Sequence, residues 1–289
     1  MTIEEGVRVR LDGRVAVVTG SSKGLGAATV RRLAALGATP VVTFNKDEQA
    51  AEKVAAEIRE AGHECWVQRL DMGDVESIGS LFEWVTGSEG PGGLDVFVAN
   101  AAASSWKSLL DQRPHNVERT FAISVTGFLE ACRLAVPMMQ GRGGGRIVAI
   151  SGIDTRGHGP GHGLLAAAKA AMETIVQYLQ VELAGTGVSA IAANLDGFRS
   201  KSIETGLGPL FERMVRTMDV IHPLGAMADV EEMAEVVALC CTDAARWLGG
   251  SVVVADGGSL FSKASLILQV AEHLPDDALE QLLTSLRRQ

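Results

Sequence analysis

A buried-type strand that runs directly into a glycine-spaced turn, and from there into a helix, constrains this chain more than any other feature. Residues 14–19 read Arg-Val-Ala-Val-Val-Thr. Gly20-Ser21-Ser22-Lys23-Gly24-Leu25-Gly26 follows at once, and helical periodicity then continues to about Leu36. Glycines are needed where a turn is this tight and where another group must approach the backbone. The first N–H groups of the following helix have no partners within it, so they are free to hold an anion such as a pyrophosphate. The candidate contacts are Gly20, Ser22, Lys23, Gly24, Leu25 and Gly26. A glycine pattern by itself is weak evidence; the strand before it and the helix after it make it specific.

The same alternation continues along the chain. Apolar runs at 40–44, 65–70, 94–99, 146–150, 188–193 and 251–254 read as strands. Helical periodicity occupies 46–61, 75–85, 116–139, 166–183 and 230–241. Strands separated by helices of this length imply βαβ units and a parallel sheet covered on both faces. The expected architecture is a Rossmann-like, doubly wound α/β fold of about seven strands, with ligands at the carboxyl ends of the strands. Residues 1–258 make one such domain. Residues 259–289 form a helical C-terminal extension, read as a packed appendage or an oligomer contact.

Composition removes several function classes. A net charge of −9 and the absence of any basic run argue against nucleic acid. No apolar run approaches the roughly 20 residues of a membrane span, and the acidic start MTIEEG lacks a secretory apolar region. Cys65, Cys132, Cys240 and Cys241 show no metal-ligand spacing, so no metal site is expected and a reducing cytoplasm is the simplest location. Arginine outnumbers lysine and Ala, Gly and Val abound, which suggests a bacterial gene of high GC content.

Five motifs in order then resemble the short-chain dehydrogenase/reductase family over about residues 10–258. They are Thr19–Gly26, Asp71-Met72 after the third strand, Asn100-Ala101-Ala102 after the fourth, Pro223-Leu224-Gly225, and Asp256-Gly257-Gly258. The resemblance implies a nicotinamide cofactor with adenine near Asp71 and Met72, and with Asn100 and Ala101 along its length. It also implies a small-molecule substrate and a homo-oligomer, dimer or tetramer. Members that bind NAD commonly carry an acid at the end of the second strand. Here that strand ends Phe44-Asn45-Lys46; Asn45, Lys46 and Lys23 suit the extra phosphate of NADP(H), although Asp47 and Glu48 dilute the charge.

The chemistry departs from the family pattern. Relatives carry Tyr-x-x-x-Lys after the fifth strand, a Ser thirteen residues before the Tyr, and an Asn on the preceding long helix. Counting from Lys169, the tyrosine position holds Leu165, the serine position Gly152, and the asparagine position Ser124. The one tyrosine of the chain, Tyr178, lies nine residues past Lys169, on the opposite helix face. His162, seven before Lys169, is the candidate replacement acid, since imidazole titrates near neutrality. Ser151 should face away by strand alternation, and Asp154 reads as an exposed turn carboxylate. Ser104, Ser105 and Trp106 suit a pocket wall. Asp196, Arg199 and Lys201 fall in the substrate-lid region, where Ala193-Asn194 stands for the family's Pro-Gly pair.

The retained glycine turn, Asn100 and Lys169 favour an atypical NADP(H)-dependent oxidoreductase, with Lys169, His162 and Ser124 as its candidate catalytic residues. Its substrate is an activated carbonyl, enone or quinone, as in natural-product tailoring. The loss of three of the four catalytic positions favours the alternatives, a non-redox enzyme of cyclase, dehydratase or aldol type, and a cofactor-binding pseudoenzyme partner.

Overall fold

Strand residues are buried on both faces, which is why the strands read as unbroken apolar runs instead of alternations. The computed structural model describes residues 9–103, 105–159, 161–208, 210–262, 267, 270–271 and 274–286. The first half runs β1 (Val15–Val18), α1 (Gly24–Ala35), β2 (Thr39–Phe44), α2 (Glu48–Glu60), β3 (Trp66–Arg69), α3 (Val75–Thr86) and β4 (Val96–Ala99). Then come α4 (Pro114–Phe121), α5 (Gly127–Gly141), β5 (Gly145–Gly152), α6 (Gly163–Glu182) and β6 (Val188–Leu195). A short parallel ribbon, β7 (Phe198–Arg199) with β8 (Ala228–Asp229), brackets α7 (Lys201–Leu207) and α8 (Leu210–Ile221). Helix α9 (Val230–Cys241), strand β9 (Val252–Ala255) and, in the C-terminal stretch, α10 (Asp276–Leu286) complete the described elements.

Seven parallel strands form one sheet in the order β3-β2-β1-β4-β5-β6-β9. Alternate side chains divide the core. Val18, Val98 and Val148 pack with Val30, Leu33, Val54 and Val237 of α1, α2 and α9. Val17, Phe97 and Ile147 pack with Phe82, Phe128 and Met172 of α3, α5 and α6. The fold is therefore the single-domain, doubly wound sheet expected, and its switch point lies between β1 and β4.

Three local readings change. The helix expected at 116–139 runs from Pro114 to Gly141 but is broken by a π-helical turn at Ala122–Thr126. By length and composition (an 18-residue window of mean hydropathy 1.4) it could cross a bilayer. Its apolar residues Phe128, Ala131, Cys132, Ala135 and Met139 are instead buried in the core. Strand β6 extends to Leu195, past the expected end at residue 193, so Ala193-Asn194 lies within the strand. The reason is that Asn194 is fully buried and donates to Gly152 O at 2.9 Å and to Glu173 Oε1 at 2.7 Å. Helices α7 and α8 fill a region where no element was expected. Helix α8 is strongly amphipathic, and its Val220 clusters with Ala271 and with Leu279 and Leu283 of α10. Arg213 of α8 also donates to Ala271 O and pairs with Asp276 at 2.8 Å.

At the opposite edge from the glycine turn, Asp95 fixes where β1 and β4 begin. Its carboxylate is 2% exposed and accepts from Val15 N at 2.8 Å, Arg142 Nε at 3.0 Å and Arg14 at 3.2 Å. Asp95→Ala leaves a buried strand N–H and two guanidinium groups without their acceptor, a loss of about 2–3 kcal/mol. Thermal unfolding should shift down by several degrees, and less for Asp95→Asn, which keeps an acceptor oxygen. An unchanged midpoint in Asp95→Ala would contradict this role.

Candidate active site

The glycine turn is bolted to both neighbouring strands. Asn100 Nδ2 donates to Thr19 O at 2.9 Å and Gly20 O at 3.2 Å, while Asn100 N and Ala101 N donate to Thr19 Oγ1. On the other side, Gly20 N donates to Thr43 Oγ1 at 2.9 Å, and Ser21 Oγ accepts from Thr43 N at 2.8 Å. Gly20 sits at φ +64°, open to glycine and strained for other residues. A Cβ on Gly26 would lie 2.6 Å from Gly20 O and 2.7 Å from Asn100 Nδ2. The turn therefore has no room for a side chain at that point. Lys23 caps α1 without a side-chain hydrogen bond, so the N-terminal amides there are not closed off by a side chain of the cap. This cradle fits a pyrophosphate group.

Beside it, Lys23, Asn45 and Lys46 are all exposed at the carboxyl ends of β1 and β2. The sequence reading missed a third cation. Arg69, the last residue of β3, donates from Nε to Asn45 O at 3.3 Å and so stands next to the end of β2. Its signal was position alone: the final residue of the strand that pairs with β2. Met72 is buried, and Asp71 is half-buried with Oδ1 accepting from Gly73 N at 2.9 Å. These residues line up along the carboxyl edge from β3 to β4, as a dinucleotide requires.

At the β5 end the structure brings together what the sequence listed separately. Gly152 leaves the serine position open; a Cβ there would meet only Asp154 Oδ2 and Leu195 O, both at 3.9 Å. Asp154 is not an exposed turn carboxylate. Its Oδ2 lies 2.6 Å from His162 Nδ1, and both side chains are largely buried, 29% and 19% exposed. His162 is the residue before α6, three before Leu165 and seven before Lys169, so at about 100° per residue all three share one helix face. Trp106 packs on the imidazole with ring centroids 3.7 Å apart. Ser105 is half-buried in the same loop, and Ser104 lies outside the described residues.

Lys169 is buried, and Nζ donates to Ile150 O at 2.6 Å. Desolvation of the ammonium lowers its pKa from the ordinary lysine value to about 8. Ser124 is buried inside the π turn, and its Oγ has no hydrogen-bond partner among the described residues. A π turn frequently marks a functional position in a helix. Tyr178 is 68% exposed, on the far side of α6 from Lys169 as expected. Ser151 points away from Gly152's side of the strand, with Oγ donating to Glu173 Oε1 at 2.6 Å. In the lid region Arg199 pairs with Asp219 at 2.9 Å, Asp196 accepts from Ser259 Oγ at 2.6 Å, and Lys201 is exposed.

Comparison with known proteins agrees with this geometry. A family model described as enoyl-(acyl carrier protein) reductase matches residues 20–259. The 1-cyclohexenylcarbonyl-CoA reductase of Streptomyces collinus is 35% identical over 250 residues, covering 85% of this chain and 86% of that protein. An NADPH-dependent aldehyde reductase-like protein of Arabidopsis thaliana chloroplasts is 29% identical over 258 residues, covering 86% and 94%. A Sinorhizobium meliloti structure, described as a short-chain alcohol dehydrogenase, matches with a TM-score of 0.81 and 26% identity, covering 88% of this chain and 99% of that one. The glycine cradle, the strand order and these matches along the length of the sheet agree, and the chain belongs to the short-chain dehydrogenase/reductase family of oxidoreductases.

Proposed function

We propose that the chain is an NADP(H)-dependent reductase of an activated acceptor, with His162 standing in for the absent tyrosine. One observation carries this reading: the Asp154–His162 pair, at 2.6 Å, sits beside the open position at Gly152 and on the helix face of Lys169. The cradle of Gly20, Ser22, Gly24, Leu25 and Gly26 would hold the pyrophosphate. Asp71 and Met72 would flank the adenine, with Asn45, Lys23, Lys46 and Arg69 around the 2′-phosphate. Asn100 and Ala101 would back the chain of the cofactor, and Lys169 would bind the nicotinamide ribose. Bound NADPH supplies a hydride.

Leu165 and Gly152 have no proton to give and no hydroxyl to steady a developing oxyanion. General acid/base groups contribute about 10²–10⁴-fold, so reduction of a plain ketone is the poorest match to this site. A conjugated acceptor spreads the charge that hydride addition creates, which leaves one proton to be delivered. Asp154 accepts from His162 Nδ1–H and fixes the ring, and Nε2 then carries the proton that moves to substrate. Ser124 Oγ, buried and without a hydrogen-bond partner among the described residues, would order the water that returns it. The names of a relative, 1-cyclohexenylcarbonyl-CoA reductase, and of the matching family model support a C=C bond conjugated to a thioester carbonyl. NADPH in the name of a second relative supports the cofactor.

The enzyme works as a homo-oligomer in the cytoplasm. Tyr178 and Val181 on α6, 68% and 75% exposed, supply apolar surface for a second copy. The described cysteines are free and buried, and burial pushes the thiols of Cys65 and Cys240 up to about 11, so they are unreactive.

Two measurements test the reading. Calorimetry should give NADPH binding far tighter than NADH, and Arg69→Ala should weaken NADPH roughly tenfold while leaving NADH unchanged, about 1.4 kcal/mol for one charged contact. Equal affinity for both nucleotides would remove the NADP assignment, and binding of neither would move the chain to the non-redox or pseudoenzyme class. With 1-cyclohexenylcarbonyl-CoA as acceptor, His162→Gln should lower kcat about 10²-fold or more at unchanged NADPH affinity. An unaltered kcat would eliminate His162 as the proton donor.

A further inference from the structure

A second carboxylate lies under the same site and has no part in the chemistry above. Glu173 is one helical turn past Lys169 on α6 and 9% exposed. Apart from Lys169, its buried neighbours along that helix, Ala168, Met172 and Val176, are small or apolar. A buried charge is tolerated in such a place only where donors meet it, and an apolar residue of similar size would serve packing at least as well. Three donors converge on the single oxygen Oε1: Ser151 Oγ at 2.6 Å, Asn194 Nδ2 at 2.7 Å and Thr155 Oγ1 at 3.1 Å. Arg156 stands 3.7 Å from the other oxygen.

The three donors are not scattered. Ser151 and Thr155 flank the one-turn segment Gly152–Asp154, and Asn194 Nδ2 also reaches Gly152 O at 2.9 Å and Thr155 Oγ1 at 2.8 Å. Asn194 Oδ1 is buried without a partner, so the amide is oriented by what it donates to, not by what it accepts. Turning it over would set its oxygen against the Glu173 carboxylate and the Gly152 carbonyl. The segment pinned at both ends by these contacts is the one that carries Asp154 to His162.

We infer that Glu173 is a positioning residue: its buried carboxylate, through Ser151, Thr155 and Asn194, fixes the Gly152–Thr155 turn and thereby holds Asp154 against His162 Nδ1. This rests on the reading of His162 as proton donor, but its test needs no substrate. In the full-length protein labelled with ¹⁵N-histidine, the Nδ1–H held by Asp154 gives a slowly exchanging imidazole resonance, identified as the one missing from His162→Gln. Glu173→Ala should lose that resonance to solvent exchange while the far-ultraviolet circular dichroism stays unchanged. Glu173→Gln, whose amide oxygen still accepts from Ser151 and Asn194, should keep it.

Thr155→Val, which removes one donor and leaves the charge, should speed its exchange and serves if Glu173→Ala does not fold. A resonance unaltered in Glu173→Ala, or in Thr155→Val where that variant is the one read, would overturn the positioning role while leaving His162 as donor. Its absence from the unmodified protein would remove the Asp154–His162 pairing itself, and with it both proposals.

Discussion

The side-chain amide of Asn100 holds the carbonyls of Thr19 and Gly20, and the ends of β1 and β4 meet through it. Gly26 closes on the same amide, with no space left for a Cβ. Because α1 starts inside this knot, its N-terminal amides cannot drift from the carboxyl edge of the sheet. Thr43 ties β2 to the same turn from the other side. The cations Lys46 and Arg69 at the ends of β2 and β3 are therefore referenced to the same backbone as the β5 end. A parallel sheet offers this edge to any ligand, but a rigid edge is what lets a remote cofactor contact control geometry at the reacting end.

The reacting end shows how such an edge can keep its frame and change its acid. Leu165 and Gly152 remove both hydroxyls from the positions relatives use, while Lys169 stays and β5 still ends against α6. On the proposed reading the proton-bearing group would move one turn toward the start of α6, to His162, whose ring meets Asp154 from the turn after Gly152. A Cβ at position 152 would lie 3.9 Å from Asp154 Oδ2, an ordinary contact, so the open position borders the pair without competing with it. Trp106, packed on the imidazole, excludes water from one face of the ring.

Much of this was legible in the residues because it depends on local rules. The strand–turn–helix at 14–36, the apolar runs that became the sheet, and the absence of an acid after Phe44 all follow from short-range sterics and charge. So does the exclusion of Tyr178, which needs only the helical period. What escaped depends on contacts distant in sequence. Asp154 looked like a solvated turn residue until the fold brought His162 to it. Nothing in the sequence marks Glu173, since its burial depends on Asn194 from the neighbouring strand. In the sequence Asn194 only stands, with Ala193, for the family's Pro-Gly pair, and nothing local announces the buried acceptors it meets. Helix α8 has an amphipathic pattern of its own, but what covers it comes from the C-terminal stretch, a contact across more than fifty residues.

The most direct test follows the hydride. NADPH carrying deuterium at both C4 positions and 1-cyclohexenylcarbonyl-CoA would be mixed with the purified protein and the product weighed by mass spectrometry. A reductase of the kind described delivers one deuterium per product molecule, makes no product without the nucleotide, and slows when His162 is replaced by Gln. Product formed without label, or at the same rate with NADPH left out, would contradict hydride transfer and place the chain among enzymes that reuse this fold for non-redox chemistry.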